Sequence, residues 1–251
     1  MFDLTGKIAI VTGGAGGLGR PISLGLAQAG ASVVVDDLAS AHPEAVAKDI
    51  EALGGKALAV SADVTSASAM KDMVDQVMKE FGKIDILVNV AGINARFSAE
   101  EMPPEEFEKV VRFNIVGTFV PCQAVGRVMI EQKRGKIINM GSVRGSVAPS
   151  IGGTAYASSK GGVHQLTRTL AAEWAKYGIN VNGIAPALVM TAMTKDFLSQ
   201  PEIYSKMTAD IPLSRLGNPE DIVGPTVLLA SDESDFMTGQ IIYVDGGLSA
   251  V

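Results

Sequence analysis

Tyr156 and Lys160 stand four residues apart in "TAYASSKGG" (154 to 162), at the start of a stretch with helical spacing. Residues so spaced lie one above the other on one helix face, so a phenol and an ammonium can reach the same partner. A free phenol ionises near pH 10, and bringing that to about 7 takes roughly 4 kcal/mol of preferential stabilisation of the phenolate, which a nearby cation favours. A tyrosine tuned in this way acts as a general acid or base near neutrality. The same spacing arises on any amphipathic helix that happens to carry both residues, so the pair has to be weighed against the rest of the chain.

A second group with chemical meaning lies near the start. The apolar run "KIAIVT" (7 to 12) leads into "TGGAGGLG", Thr12 to Gly19, in which Leu18 is the last residue before the final glycine. Gly14, Gly16 and Gly19 satisfy G-x-G-x-x-G, while Gly13, Gly17 and Gly19 satisfy G-x-x-x-G-x-G. With either spacing the missing Cβ atoms let the backbone turn tightly and approach a pyrophosphate, whose charge is stabilised by amides at the start of the following helix. The run "VVVDDL" (33 to 38) then places Asp36 and Asp37 where an acid accepts hydrogen bonds from an adenosine ribose and repels the extra phosphate of NADP. No arginine stands at this strand end, and the expected cofactor is NAD(H). Either aspartate can equally begin a solvated turn.

These residues need a scaffold. Apolar runs at 7 to 12, 32 to 35, 57 to 60, 85 to 89, 136 to 140, 179 to 185 and 241 to 244 read as strands, and helical spacing holds over Ser68 to Phe81, Glu105 to Ile130 and Ala155 to Lys176. Strand and helix alternate almost throughout, which predicts right-handed crossovers, an α/β fold and one parallel sheet of about seven strands with helices on both faces. Ligands of such folds bind beyond the carboxyl ends of the strands. Residues 188 to 216 have no strong period and carry scattered Met, Thr, Ser and Pro, as a substrate lid would.

Composition narrows the function. A chain of 251 residues fits one domain spanning 1 to 251. A hydrophobic content of 47% and mean hydropathy of +0.27 fit a sheet buried on both faces and apolar subunit contacts. The net charge of -6 gives no electrostatic footprint for nucleic acid or an anionic membrane, and the expected partner is a small-molecule substrate. Cys122 is the single cysteine, and His42 and His164 are the two histidines, so neither an intramolecular disulfide nor a zinc-type cluster is expected. No signal-like segment opens the chain and no run of 18 apolar residues occurs, which places it in the cytoplasm as an expectation.

Along essentially its full length the chain resembles the short-chain dehydrogenase/reductase family, through "TGGAGGLG", "DV" (63 to 64), "NVAG" (89 to 92), Asn114 in "FNIVG", Ser142 in "GSVRG", "YASSK", "INVNGIAP" and "YVDGG". The resemblance implies a single-domain, doubly wound Rossmann fold, usually assembled as a homotetramer. It implies that Tyr156 exchanges a proton with the substrate oxygen while hydride moves to or from the nicotinamide. It makes Lys160 the cation that lowers the pKa of Tyr156 and holds the nicotinamide ribose, and Ser142 a donor to the developing oxyanion. Asn114 becomes the holder of a water linking Lys160 to solvent. For the cofactor it implies Gly13, Gly17 and Gly19 at the pyrophosphate, Asp37 at the adenosine ribose, and Asp63 and Val64 at the adenine, with Thr12, Leu18 and Asp36 as further cofactor-binding candidates. Asn89, Ala91 and Gly92 are implied at the next strand end, and Pro186, Val189 and Thr191 beside the nicotinamide. Val90, Gly141 and Ala187 depart from the family's commonest residues, which are asparagine, serine and glycine there.

Within the family the stretches "AGIN" (91 to 94), "SVRG" (142 to 145) and 220 to 247 look most like sugar, polyol and sugar-acid dehydrogenases of the gluconate 5-dehydrogenase kind. Asn94, Arg96 and Arg144 are the substrate candidates, since arginine binds a carboxylate through two parallel hydrogen bonds; exposed loop arginines are the alternative. Met190, Met193 and Met207 would instead favour an apolar substrate, or serve as packing. Two other functions remain open at this stage: a 3-oxoacyl carrier-protein reductase, and a cofactor-binding sensor without turnover.

Overall fold

The computed structural model describes residues 1 to 148, 153 to 191 and 200 to 251. Seven strands, β1 (Ile8–Thr12), β2 (Ser32–Asp37), β3 (Ala57–Ser61), β4 (Ile86–Asn89), β5 (Gly135–Met140), β6 (Ile179–Pro186) and β7 (Ile241–Val244), form one sheet in the order β3-β2-β1-β4-β5-β6-β7. Every pairing is parallel, so each connection must cross over a face. Chain direction across the sheet reverses between β1 and β4, which opens a crevice at their carboxyl ends. The register sets Thr12 opposite both Asp36 and Asn89, and Asn89 opposite Asn139, so the strand ends finish level.

Side-chain alternation explains why both faces are covered. Along β1, Ala9 and Val11 join a core with Val33, Val35, Leu26 and Ile222, while Ile8 and Ile10 join the opposite core with Val34, Met70, Cys122 and Leu170. Helices α1 (Gly19–Gln28) and α2 (Pro43–Ala52) supply the first core. The second rests on α3 (Ala67–Phe81), which starts where the Ser66 hydroxyl accepts the Ala69 amide and stops at left-handed Gly82.

The stretch expected as one helix from Glu105 to Ile130 is three pieces: α4 (Pro104–Val111), a π turn over Arg112–Val116, and α5 (Gly117–Gln132). Together they are long and apolar enough by composition to cross a membrane, but Cys122, Val125 and Met129 of α5 are fully buried against the sheet. Helix α6 (Thr154–Trp174) follows β5. The lid stretch is not wholly irregular, because α7 (Pro201–Thr208) lies within it; eight residues are too few for a period to stand out, although Pro201 and Glu202 at its start and Lys206 at its end are ordinary helix signals. Met193 lies outside the described residues. Helix α8 (Glu220–Ala230) closes the first core before β7.

Candidate active site

The carboxyl ends of the strands open on one cavity of about 1170 Å3. Gly13 turns out of β1 at a φ of +65°, and a Cβ there would stand 2.7 Å from the Ala91 amide nitrogen. A Cβ on Gly19 would stand 1.9 Å from the Gly13 carbonyl oxygen, so glycine is needed for conformation at one position and for close approach at the other. Helix α1 begins there with no side chain capping it; the Arg20 amide is given to the Gly16 carbonyl at 2.9 Å and Pro21 has no N–H, so an anion would be met by the amides just before them. Asp37 fixes the loop from β2: its Oδ2 accepts the Ala15 amide at 3.1 Å and its Oδ1 the Leu38 amide at 2.8 Å. Gly17, Leu18, Asp63, Val64, Ala91 and Gly92 complete this end of the cavity wall. A backbone cradle that a Cβ would fill, beside a fixed carboxylate, fits a nicotinamide dinucleotide.

Four sequence candidates, Thr12, Asp36, Asn89 and Asn114, stand behind the wall. Thr12 and Asn89 are buried, and the Thr12 hydroxyl donates to Asn89 Oδ1 at 3.4 Å. The Asn89 amide donates to Asn139 Oδ1 at 2.9 Å, and the Asn139 amide to the Thr167 hydroxyl at 3.0 Å. This buried polar chain ties the ends of β1, β4 and β5 to α6. The acidic pair divides: Asp37 lines the cavity, whereas Asp36 is completely buried and does not. The expected ribose contact therefore falls to Asp37.

Neither Asp36 carboxylate oxygen has a hydrogen bond of good geometry, and the Ala62 amide is the one donor near enough to act on it. Burial, and then the neighbouring charges of Asp37 and Asp63, push its pKa up to about 7, with the Ala62 amide opposing. An acid whose pKa is raised on folding holds its proton in the folded state alone between about pH 4 and 7, so its contribution to stability is lost as the pH rises through that window. Asp36→Asn is expected to raise stability by about 3 kcal/mol more at pH 8 than at pH 5, because most of the native chain's loss falls between those values. Unfolding midpoints at the two pH values measure this, and equal effects at both would contradict it.

At the far end of the cavity α6 presents Tyr156 and Lys160. Lys160 is 4% exposed, its Nζ donates to the Met140 carbonyl at 2.7 Å, and it stands 5.7 Å from the centre of the Tyr156 ring. Burial lowers the Lys160 pKa to about 8. The Tyr156 phenol, in contrast, is held above its ordinary pKa, because burial raises it and the Ser142 hydroxyl only partly opposes this. The expected depression below the ordinary value is not reached: desolvation dominates, and the Lys160 hydrogen bond goes to Met140 rather than to the phenol.

Ser142 follows β5 and its Oγ accepts the Arg144 amide at 3.2 Å, capping the short turn Val143–Gly145. Asn114 sits in the π turn and is fully buried. Its Oδ1 accepts the Ile93 amide at 2.8 Å, and its Nδ2 donates to the Ile93 carbonyl and to Ser159 Oγ, each at 2.9 Å. The side chain is thus committed to anchoring the loop after β4. Its main-chain carbonyl accepts the Thr118 hydroxyl and keeps a second lone pair.

Asn94 and Arg96 after β4, and Arg144 after β5, line the same cavity, as do Pro186 at the end of β6 and Val189 and Thr191 after it. Met207 lines it too, while Met190 packs into a small core with Ile211 and Leu216. Lys206 of α7 joins the lining and was not among the sequence candidates; its only signal is its place in the last turn of a short helix. Among the described residues the lining cations are Arg96, Arg144, Lys160 and Lys206, and none of these comes from the ends of β2 or β3, where Asp37 and Asp63 stand.

A family model described as enoyl-(acyl carrier protein) reductase matches residues 13 to 249. A 5-keto-D-gluconate 5-reductase of Escherichia coli is 36% identical over 99% of this chain and 97% of its own length. A 3-oxoacyl-[acyl-carrier-protein] reductase of Thermotoga maritima is 39% identical over 98% of each. Among solved structures, a gluconate 5-dehydrogenase from Burkholderia cenocepacia in complex with NADP and tartrate superposes with a TM-score of 0.94 at 35% identity, covering 100% of this chain and 98% of that one. With matches of this length and the motif residues gathered on one cavity, the chain belongs to the short-chain dehydrogenase/reductase family, the nicotinamide-dependent oxidoreductases that act on alcohol and ketone pairs.

Proposed function

We propose that the chain is an NAD(H)-dependent oxidoreductase that interconverts a secondary alcohol and a ketone on a sugar acid. The observation that carries this reading is the division of charge in the cavity: Asp37 and Asp63 on the β2 and β3 side, Arg96, Arg144 and Lys206 among the residues that come with Ser142 and Tyr156. Carboxylates favour a ribose with free hydroxyls over one bearing a phosphate, and guanidinium groups suit a substrate carboxylate. Relatives named for 5-keto-D-gluconate and gluconate support the substrate class, while the relative that binds NADP leaves the cofactor choice to this chain's own Asp37.

The bound cofactor supplies or accepts the hydride. Gly13, Gly17 and Gly19 would hold its pyrophosphate, Asp37 its adenosine ribose, Asp63 and Val64 its adenine, and Lys160, Pro186, Val189 and Thr191 its nicotinamide end. Ser142 donates a hydrogen bond to the substrate oxygen, and Tyr156 gives that oxygen a proton in reduction or takes one in oxidation. Lys160 contributes a fixed positive charge held by the Met140 carbonyl, and the Asn114 carbonyl, opened by the π turn, holds the water that replenishes the proton. Of the stretch expected as a lid, Leu188, Met207 and Ile211 stand on the lining and would exclude water, while 192 to 199 lie outside the described residues.

Absorbance at the reduced-nicotinamide band, with a panel of sugar acids, aldoses and polyols offered with NAD and then NADP, tests the reading. Turnover of a carboxylated sugar with NAD is expected. Arg96→Ala should raise its KM by about tenfold, the loss of one charge-assisted contact, and leave an uncharged polyol unaffected. A second reading draws on Leu188, Met207 and Leu248, whose apolar side chains on the wall would suit an acyl chain. Turnover of 3-oxoacyl thioesters with NADPH in preference to any sugar acid would establish it, and the net charge of -6 argues against an acidic carrier protein.

A further inference from the structure

The stripe that carries Tyr156 and Lys160 continues for one more turn of α6, to His164. His164 is 2% exposed and takes part in none of the contacts assigned so far. Its Nε2 accepts the Ser142 main-chain N–H at 3.4 Å, and its Nδ1 lies 3.3 Å from Ser146 Oγ, which in turn bonds the Tyr243 hydroxyl on β7. The ring therefore sits directly behind the serine loop and links it to the last strand of the sheet.

The loop is shaped around this ring. A Cβ on Gly141 would lie 2.4 Å from His164 Nε2, and one on Gly145 would lie 2.6 Å from its Cε1. Glycines thus bracket Ser142 on both sides, and each leaves room that the imidazole occupies. Position 141, where the family resemblance leads one to expect serine, is glycine in this chain because a side chain there would collide with the histidine. Ser142 is itself buried, so without the imidazole its N–H would be a buried donor lacking an acceptor.

The electrostatics agree with an accepting nitrogen. Burial, with the cations Arg168 and Lys160 on the same helix, lowers the His164 pKa to about 4. From β7 the group that faces the ring is the Tyr243 phenol, at 6.3 Å between ring centres, and from the serine loop it is the Ser146 hydroxyl. A neutral ring accepting at Nε2 carries its proton on Nδ1 and donates it to Ser146.

We propose that His164 is the positioning residue for Ser142, fixing from behind the loop that aims the serine hydroxyl, and that Gly141 is the complementary vacancy that admits it. This rests on Ser142 and Tyr156 being the reactive pair. Because the Ser142 hydroxyl is what pulls the Tyr156 pKa down against burial, a displaced Ser142 must also move the ionisation of Tyr156 upward.

The test measures kcat, NADH affinity by fluorescence, and the pH profile of alcohol oxidation. His164→Leu, which removes both ring nitrogens, is expected to lower kcat by about 100-fold, the size of effect that follows a small misplacement of a reacting group. It should leave NADH affinity unchanged and shift the ionisation in the profile to higher pH, and His164→Gln, which keeps an acceptor and a donor, should restore most of both. Gly141→Ser should impair turnover in the native background and lose much of that effect in Gly141→Ser/His164→Ala, whose smaller side chain vacates the space. The double variant keeps the test decisive even where His164→Leu does not fold. Unchanged kcat and profile in His164→Leu, or a Gly141→Ser defect identical in both backgrounds, would overturn the proposal. If Tyr156→Phe is inactive while the His164 variants behave as wild type, the role of His164 alone is wrong; if Tyr156→Phe turns over normally, the reading of the site itself is wrong.

Discussion

Tyr156→Phe is expected to lower kcat by about 1000-fold while leaving NADH affinity nearly intact, since proton transfer by a positioned group contributes on that order. The substitution removes one hydroxyl and keeps the ring that lines the cavity, so the wall and the fold should persist. The direction of the Tyr156 pKa sharpens the expectation. Burial holds the phenol above its ordinary value, so at neutral pH it is fully protonated and ready to act as an acid. Ketone reduction by the native enzyme should therefore be flat across neutral pH as far as this group is concerned. Alcohol oxidation needs the phenolate and should climb with pH. Steady-state rates in both directions, with a fluorescence titration of NADH, measure all of this. A variant that oxidises the substrate as fast as the native chain would remove Tyr156 from the acid/base role and reopen the reading of the chain as a cofactor-binding sensor.

The sheet was legible because its signal is redundant: seven apolar runs separated by helical spacing admit few other arrangements, and the structure changes only their ends. Strand β2 runs on through Asp36 and Asp37, which interrupt the apolar pattern but still pair with Val60 and Ser61 of β3. Which aspartate faces the cavity was legible through the family resemblance, which puts Asp37 at the ribose, and not from the strand pattern itself. Successive strand residues point to opposite faces, yet the face that meets the crevice is decided by how the β2 end packs against the glycine turn and β3. The Tyr156 and Lys160 spacing disclosed proximity. It could not disclose that Lys160 spends a hydrogen bond on Met140, or that desolvation would dominate the phenol, since both depend on residues distant in sequence. Short helix α7 escaped for lack of length, and with it Lys206. His164 was visible as a histidine and invisible as a partner, because the glycine that admits it lies 23 residues earlier in another element.

Asp37→Arg is expected to shift the ratio of kcat/KM for NAD over NADP by about 1000-fold toward NADP, because it exchanges a like-charge pair for an opposite-charge one, a swing of about 4 kcal/mol. The carboxylate has a second task that must be separated from its charge: its Oδ2 accepts the Ala15 amide and so holds the glycine turn. Asp37→Asn keeps an acceptor of the same size without the charge, and should weaken discrimination while leaving NAD turnover close to native. If the arginine variant loses both cofactors and the asparagine variant keeps NAD, the loop contact has been broken and the charge argument stands on the asparagine ratio. Asp36 cannot compensate, since it lies buried behind the wall without a hydrogen bond of good geometry. The discrimination should also shrink as salt is raised, as it must for charges on a cavity that opens to solvent. An unchanged cofactor ratio in both variants would mean that the ribose is read elsewhere on the β2 side, and that the fixed carboxylate serves only to hold the turn.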